Sequence, residues 1–154
     1  MDRFSRGKRS SIMAAIRSKG NRSTELALGR LLRASGVRGY RKHWHVVGRP
    51  DFAWPRLKVA VFVDGCFWHG CTRCKNLPET NADFWRLKIE ENQRRDRRVT
   101  TKLRHMGWSV IRVKECSVIS PSTLRRIIKA LNEKREGSAS AGKTPSIRSE
   151  RRQM

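Results

Sequence analysis

Residues 64–74 read DGCFWHGCTRC, setting a carboxylate, three cysteines, an imidazole and two aromatic rings within eleven residues, directly after the apolar run LKVAVFV. Cys66, Cys71 and Cys74 have the spacing of a compact thiolate knuckle, and the remaining cysteine, Cys116, closes a second strand-like run, WSVIRV. Four thiolates at the corners of a tetrahedron suit a structural zinc ion. Two disulfides, or four inert thiols, are the alternatives. The opening MDRFSRGKRSS has no apolar signal-peptide core, so a reducing cytoplasmic interior, where thiols persist, is the expected setting. His69 lies inside the loop and can stand in for one cysteine as ligand. With four cysteines at hand, a free His69 is favoured.

The carboxylates imply a second kind of metal chemistry. Asp51 follows Pro50 at the start of one strand-like segment, and Asp64 ends the next, thirteen residues later. Adjacent strands would bring both to one sheet edge, where their oxygens can share a hard cation such as magnesium. Glu25, on an early helix, can add a third oxygen directly or through water. Such a cation polarises a phosphodiester and lowers the pKa of bound water, which hydrolysis of an inert phosphate ester requires. Each residue also has a plainer reading. Asp after Pro is a common turn element, and Glu25 in the first turn of a helix is favoured by the helix dipole alone.

Composition narrows the partner. The 154 residues carry 36 Lys and Arg against 13 Asp and Glu, a formal charge of +23, so a polyanion is the expected ligand and nucleic acid the first candidate. An anionic membrane is the rival, but the charge is spread over the N-terminus, residues 86–104 and the tail, not along one basic amphipathic helix. No run of 18 apolar residues exists to span a bilayer. A basic chain with a carboxylate cluster reads as a nuclease.

The elements that must position these groups follow from periodicity. The length suits one domain with a three-layer core. Residues 1–22 are basic with a short apolar group, Ile12, Met13 and Ile16, and read as a DNA-clasping arm. Thr24 is placed as an N-cap, and ELALGRLLRAS forms a helix with Leu28, Leu31 and Leu32 on one side, stopped by Gly36. YRKHWHVV, GRPDFAW and LKVAVFV then read as extended segments, the last apolar throughout, as a strand buried on both faces requires. A long helix from about Ala82 to Met106 places Trp85, Ile89, Asn92, Asp96, Val99, Leu103 and Met106 on one stripe. Asn92 and Asp96 on that stripe need partners, unless the helix bends outward there. Gly107 ends it, WSVIRV is a strand, and Pro121 opens a last helix through about Arg135. Residues 23–135 form the folded domain, and 136–154, without aromatics or periodicity, read as a disordered basic tail.

The segments SRGKRSSIMAAIRSKGNRSTELALGRLLR, GRPDF, VFVDGCFWHGC, FWRLKIEENQRRDRR and GWSVIRV closely resemble the very-short-patch (Vsr-type) repair endonucleases, over residues 5 to about 132. VDGCFWHGC is the most specific of them. The resemblance implies an α/β, restriction-endonuclease-like fold, a central mixed β-sheet flanked by helices with a structural zinc loop. It also implies a magnesium-dependent enzyme that nicks DNA beside a T:G mismatch. Carried over, Asp51 matches the central magnesium-binding aspartate, Val63 a position offering its main-chain carbonyl to metal, His69 the catalytic histidine and Glu25 an N-terminal acidic residue of the site. Asp64 stands where some members have histidine, either on the metal or orienting a water. The lysine usual in related nucleases is absent after Asp64, where Gly65 and Cys66 stand, and His69 takes over its work as general base. An imidazole titrating near neutrality suits that work. Asp96 falls in an Arg-Asp pair of the long helix and would support the site from behind. Cys66 and Cys116 align as zinc ligands. Cys71 replaces a histidine of some members, and Cys74 implies a loop one residue longer.

Phe67 and Trp68, with Trp85 as a third member, resemble the aromatic wedge these enzymes push into the duplex beside the mismatch. Parting a base step costs a few kcal/mol, less at a poorly stacked wobble pair, and a rigid apolar wedge recovers that through stacking. Core packing is the ordinary fate of such rings, Trp85 above all, since it begins the helix stripe. Expected partners are double-stranded DNA with a T:G mismatch and, by resemblance, mismatch-repair proteins and a repair polymerase. The protein is expected to act as a monomer, nucleoid-associated and off the membrane. Two rival functions remain: a restriction-type nuclease of defined sequence, and a non-catalytic zinc-stabilised DNA-binding protein.

Overall fold

The computed structural model describes residues 24–74 and 81–141. The expected arm at residues 1–22 and the end of the tail lie outside them. The chain runs through helix α1 (residues 24–34), strands β1 (Arg41–Lys42), β2 (Phe52–Trp54) and β3 (Val59–Asp64), helix α2 (Ala82–His105), strand β4 (Ser109–Lys114) and helix α3 (Pro121–Ala141). The sheet order is β1-β2-β3-β4, antiparallel except for the β3–β4 pair, whose parallel crossover is α2. This is the expected mixed sheet flanked by helices.

Alternation along β3 divides the core. Val59, Val61 and Val63 join Leu28 and Leu32 of α1 and Ile127 and Leu131 of α3 on one face. Ala60 and Phe62 join Ala53, Leu103 of α2 and Trp108 on the other. All six β3 residues are buried, which explains the uninterrupted apolar run. Successive side chains point to opposite faces, so Asp64, two residues after Phe62, lies on the α2 side of the sheet, and so does Asp51, two before Ala53. Both aspartates thus reach the same face by period alone.

Three helix ends match the sequence signals. Gly36, at φ +72°, closes α1 while the Val37 N–H bonds the Leu32 carbonyl at 2.8 Å, and Gly107, at φ +81°, follows α2. The Ser120 hydroxyl accepts from the Ser122 N–H at 3.3 Å ahead of Pro121. Four expectations are corrected. YRKHWHVV pairs only at Arg41–Lys42, because His43 (φ +48°) takes a left-handed conformation incompatible with a strand, and GRPDFAW pairs only at Phe52–Trp54, beyond the left-handed Gly48 (φ +78°) and Arg49 (φ +47°). Helix α3 continues past Arg135 to Ala141, into the residues read as tail. Met106 leaves the α2 stripe and is 44% exposed, because the helix ends at His105.

Candidate active site and thiol centre

A cleft of about 340 Å³ opens where β3 ends against α2, and its lining includes Asp51, Val63, Asp64, His69, Asp96 and Arg112. Asp51 Oδ2 accepts the Val63 backbone N–H at 2.6 Å. Burial is the main force on this carboxyl; it and the neighbouring charges of Glu25 and Asp64 outweigh the Val63 hydrogen bond and raise its pKa to about 7. Glu25 reaches over from α1, its Oε2 standing 3.4 Å from His43 Nε2 and 4.0 Å from Lys42 Nζ. Ligand atoms of Glu25, His43 and Asp51 all fall within 4.8 Å of one another. Oxygen donors crowded until one resists ionising are a donor set for a hard divalent cation, so these residues fit the metal that the sequence implies. His43 was not singled out in the sequence; it sits in an irregular loop where no pattern marks it.

The other half of the cleft has its cation built in. Arg112 Nε donates to Asp64 Oδ2 at 2.8 Å and Arg112 Nη2 to Asp64 Oδ1 at 2.6 Å, a bidentate fork. The same Nη2 stands 3.1 Å from Asp96 Oδ2, and the guanidinium lies over the Phe62 ring at 4.9 Å. Burial works against the charge on Arg112, but the two carboxylates outweigh it and hold its pKa above the ordinary value. Both oxygens of Asp64 are engaged by Arg112, and ligand atoms of Asp64, His69 and Asp96 also lie within 4.8 Å of one another. Sequence reasoning missed Arg112, although an arginine inside the strand run VIRV was a visible irregularity.

His69 joins the two halves. Its Nδ1 lies 2.7 Å from Asp96 Oδ2, while Nε2 lies 3.8 Å from Asp64 Oδ1. A carboxylate beside Nδ1 favours the tautomer with the proton there, while Nε2 faces Asp64. Asp96 thus faces the charged groups its place on the α2 stripe demanded, His69 and Arg112, in ion pairs that fall short of hydrogen-bond geometry at Oδ2. Asn92, the other polar member, donates to the Trp68 carbonyl at 3.2 Å, and Gln93 donates to the His69 carbonyl at 3.1 Å. Helix α2 therefore holds the loop by its backbone. Gly70, at φ +57°, completes the fit, since a Cβ there would meet Ile89 Cγ2 at 2.9 Å.

On the far side of the same loop the four thiols converge. The Sγ atoms of Cys66, Cys71, Cys74 and Cys116 lie within 4.8 Å of one another, and all four cysteines are free. Cys71 and Cys116 Sγ are 3.8 Å apart. Sulfurs 2.3 Å from a tetrahedral zinc would be about 3.8 Å apart, so the cluster fits a closed structural site. The Cys116 N–H points at Cys66 Sγ at 3.4 Å, and the Cys66 N–H donates to the Glu115 carboxylate at 3.1 Å, tying the loop to the end of β4. His69 belongs to the cleft and not to this centre.

Phe67, Trp68 and Trp85 form one cluster of edge-on rings, with centroids 5.0 to 6.2 Å apart. None of the three is buried. Trp85 therefore sides with the loop aromatics and not with the core. Phe84, 59% exposed and 5.2 Å from Trp85, extends the cluster and had no signal in the sequence beyond its neighbour.

Clustered carboxylates beside an imidazole fixed by a further carboxylate, on a chain of charge +23, make the chemistry of a nuclease. Comparison with known proteins agrees. Residues 1–76 match the family DNA mismatch endonuclease Vsr. The chain is 41% identical over 125 residues to the type II nicking enzyme V.NmeDIP of Neisseria meningitidis serogroup C, covering 80% of this chain and 84% of that one. It is 34% identical over 137 residues to V.NmeAIP of N. meningitidis serogroup A, covering 86% and 97%. To the DNA mismatch endonuclease Vsr of Escherichia coli K12 it is 37% identical over 112 residues, covering 71% and 70%. The chain belongs to the Vsr family, and it is an endonuclease of that kind. Among the described residues no helix is long and apolar enough to cross a membrane.

Proposed function

We propose that this endonuclease nicks one strand of duplex DNA next to a T:G mismatch by magnesium-dependent phosphodiester hydrolysis, starting short-patch repair. The observation that carries the chemistry is His69, held through Nδ1 by Asp96 at 2.7 Å with Nε2 directed into the cleft it shares with Asp51. His69 Nε2 takes a proton from the attacking water. The resulting hydroxide attacks phosphorus in line, the bond to the 3′ oxygen breaks, that oxygen takes a proton from solvent water, and the products are a 5′-phosphate and a 3′-hydroxyl. Asp96 stabilises the imidazolium and keeps the ring oriented. Asp51, with Glu25 directly or through water and the Val63 main-chain carbonyl, would hold magnesium, which supplies charge for the phosphate oxygens and a more acidic water. Asp64, bound by Arg112, positions His69 from its other side.

The four cysteines would hold zinc and thereby set the shape of the loop carrying His69. Phe67 and Trp68 would wedge the duplex at the lesion, with Trp85 behind them. The outer face of α2 presents Arg94, Arg97, Arg98, Lys102 and His105 around one hollow, a surface matched to phosphates. The segments 1–22 and 136–154 would add nonspecific backbone contacts. This reading places the enzyme in the bacterial cytoplasm near the nucleoid, acting as a monomer, with mismatch-repair proteins and a polymerase following it.

The test is nicking of matched and T:G duplexes of identical sequence, with and without magnesium, by wild type and His69→Ala. Magnesium-dependent nicking of the T:G duplex alone, lost in His69→Ala, is expected. Equal nicking of both duplexes would instead assign a sequence-directed nickase. Identical behaviour of His69→Ala would overturn the assignment of the base.

A further inference from the structure

At the opposite end of β3 from the cleft lies a second concavity, of about 630 Å³, whose lining includes Arg38, Arg41, Trp44, Trp54, Arg56 and Arg135. Asp51 of the cleft and Trp54 of this concavity are three residues apart along β2, about 10 Å at 3.3 Å per residue. Four arginines converge here, Arg38 from the approach to β1, Arg41 from β1 itself, Arg56 from the 3-10 turn at Pro55–Leu57 and Arg135 from α3, and among the described residues no carboxylate lines the space. None of the four forms an ion pair among the described residues. The two tryptophans differ in kind. Trp54 is a fixed wall, 4% exposed, its indole N–H bonded to the Arg38 carbonyl at 2.8 Å and Tyr40 edge-on at 5.8 Å. Trp44 is 38% exposed and meets no other ring among the described residues, so its ring is open to a ligand.

We infer that this concavity binds an unpaired nucleotide of a DNA strand, with Trp44 stacking on the base and the arginines taking the flanking phosphates. An uncovered indole among guanidinium groups answers two features of one ligand, a flat ring and adjacent negative charge. In a duplex the base faces are covered by their neighbours, so a stacking platform selects a base outside the helix. Phosphate alone would need no tryptophan, and an acidic peptide would leave the ring without a partner. The chain's own terminal segments, residues 1–23 and 142–154, are both net basic and would be repelled. The inference rests on the reading of the chain as a DNA enzyme and adds a single-strand site apart from the cutting cleft.

Binding of labelled (dT)8 should be compared with that of an abasic octamer of equal charge and of an octaglutamate peptide, for the full chain and its variants. The wild type is expected to hold (dT)8 about tenfold tighter than the abasic strand. Trp44→Ala should erase that difference, and Trp44→Phe should keep most of it. Arg56→Gln with Arg135→Gln should weaken both strands and lower the salt slope by about 0.7 for each phosphate no longer neutralised. Nicking of the T:G duplex should stay at the wild-type rate in all of these variants. Equal affinity for (dT)8 and the abasic strand, an unaltered preference in Trp44→Ala, or octaglutamate binding as tightly as (dT)8 would each overturn the inference. A wild type that fails to nick yet shows Trp44-dependent preference for (dT)8 would support this site while removing the cleavage reading.

Discussion

The two halves of the cleft handle negative charge in opposite ways. Asp64 and Asp96 share one guanidinium, at 2.6 to 3.1 Å, and the exposed Arg95 stands 3.8 Å from Asp96, so their charge is offset from within the fold. Asp51 and Glu25 have no such partner among the described residues, where the nearest cations are Lys42 at 4.0 Å from Glu25 and His43, charged only when protonated, at 3.4 Å. A carboxylate with an internal cation is a positioning device, fixed in place and spent as a ligand. A buried carboxylate without one must take up a proton or a cation from outside. On the function proposed above, this difference fits orientation of His69 by the first half and metal capture by the second.

The largest expected effect tests the positioning half. His69→Ala should lower nicking by about 10²- to 10⁴-fold, the usual worth of a placed general base, with T:G duplex affinity held within about twofold. Asp96→Asn should cost nearly as much. An asparagine amide can donate to Nδ1, and the proton would then sit on Nε2, where the base is needed. Single-turnover rates at saturating enzyme measure both. An Asp96→Asn enzyme with wild-type rate would remove the tautomer argument.

Arg112→Met comes next. It strips one cation from two buried carboxylates, and breaking such a partly buried cluster costs about 3 kcal/mol, read as a fall in urea midpoint. Adding Asp64→Asn should return a good part of that loss, since the stranded charge goes with it. If the double variant is no more stable than the single one, Asp64 is not balanced by Arg112 and the two halves of the cleft are not distinct.

How much of this could be read from the sequence depends on whether a residue's role follows from local pattern. The buried β3 run, the stop at Gly36, the stop at Gly107 and the opening at Pro121 are local, and they stand in the structure where periodicity put them. The four cysteines were legible because thiols are few and their chemistry is narrow. Asp96 was legible as a problem, a carboxylate on an apolar stripe, and the structure supplies its partners. Arg112 and His43 were not. Arg112 works through register: it sits beside Phe62 in the parallel ladder and so on the same face as Asp64, a pairing that no single-strand pattern contains. His43 lies in a loop of left-handed residues, where side-chain direction follows no period. Trp85 was ambiguous because its spacing fits the core stripe, and only the position of the loop shows that its neighbours are Phe67 and Trp68.

A smaller effect separates finding the lesion from cutting. Phe67→Ala should reduce T:G duplex affinity about tenfold, within the range that stacking on one base contributes, and leave matched-duplex affinity nearly unchanged. Competition binding at fixed salt reads the ratio. Equal losses on both duplexes would make the aromatic cluster a packing element of the loop.

The smallest effect is the most direct test of the cation-poor half. In metal-free protein the Asp51 pKa is about 7 against an ordinary 3.8, so the folded state binds a proton that the unfolded state has released. The protonated carboxyl is fully compatible with the fold below about pH 4, and the advantage is lost as pH rises through about 7. With allowance for partial solvent access, a loss of about 1 kcal/mol, or roughly 3 °C in Tm, is expected between pH 4 and pH 7.5 in EDTA beyond that of Asp51→Asn. Magnesium should recover the loss at pH 7.5 in the wild type, by an amount set by its concentration over its dissociation constant, and should do nothing for Asp51→Asn. A wild type and Asp51→Asn with parallel Tm profiles in EDTA, both raised equally by magnesium, would place the cation elsewhere. The Arg112 side, where a guanidinium already offsets part of the charge of two carboxylates, should show a smaller response.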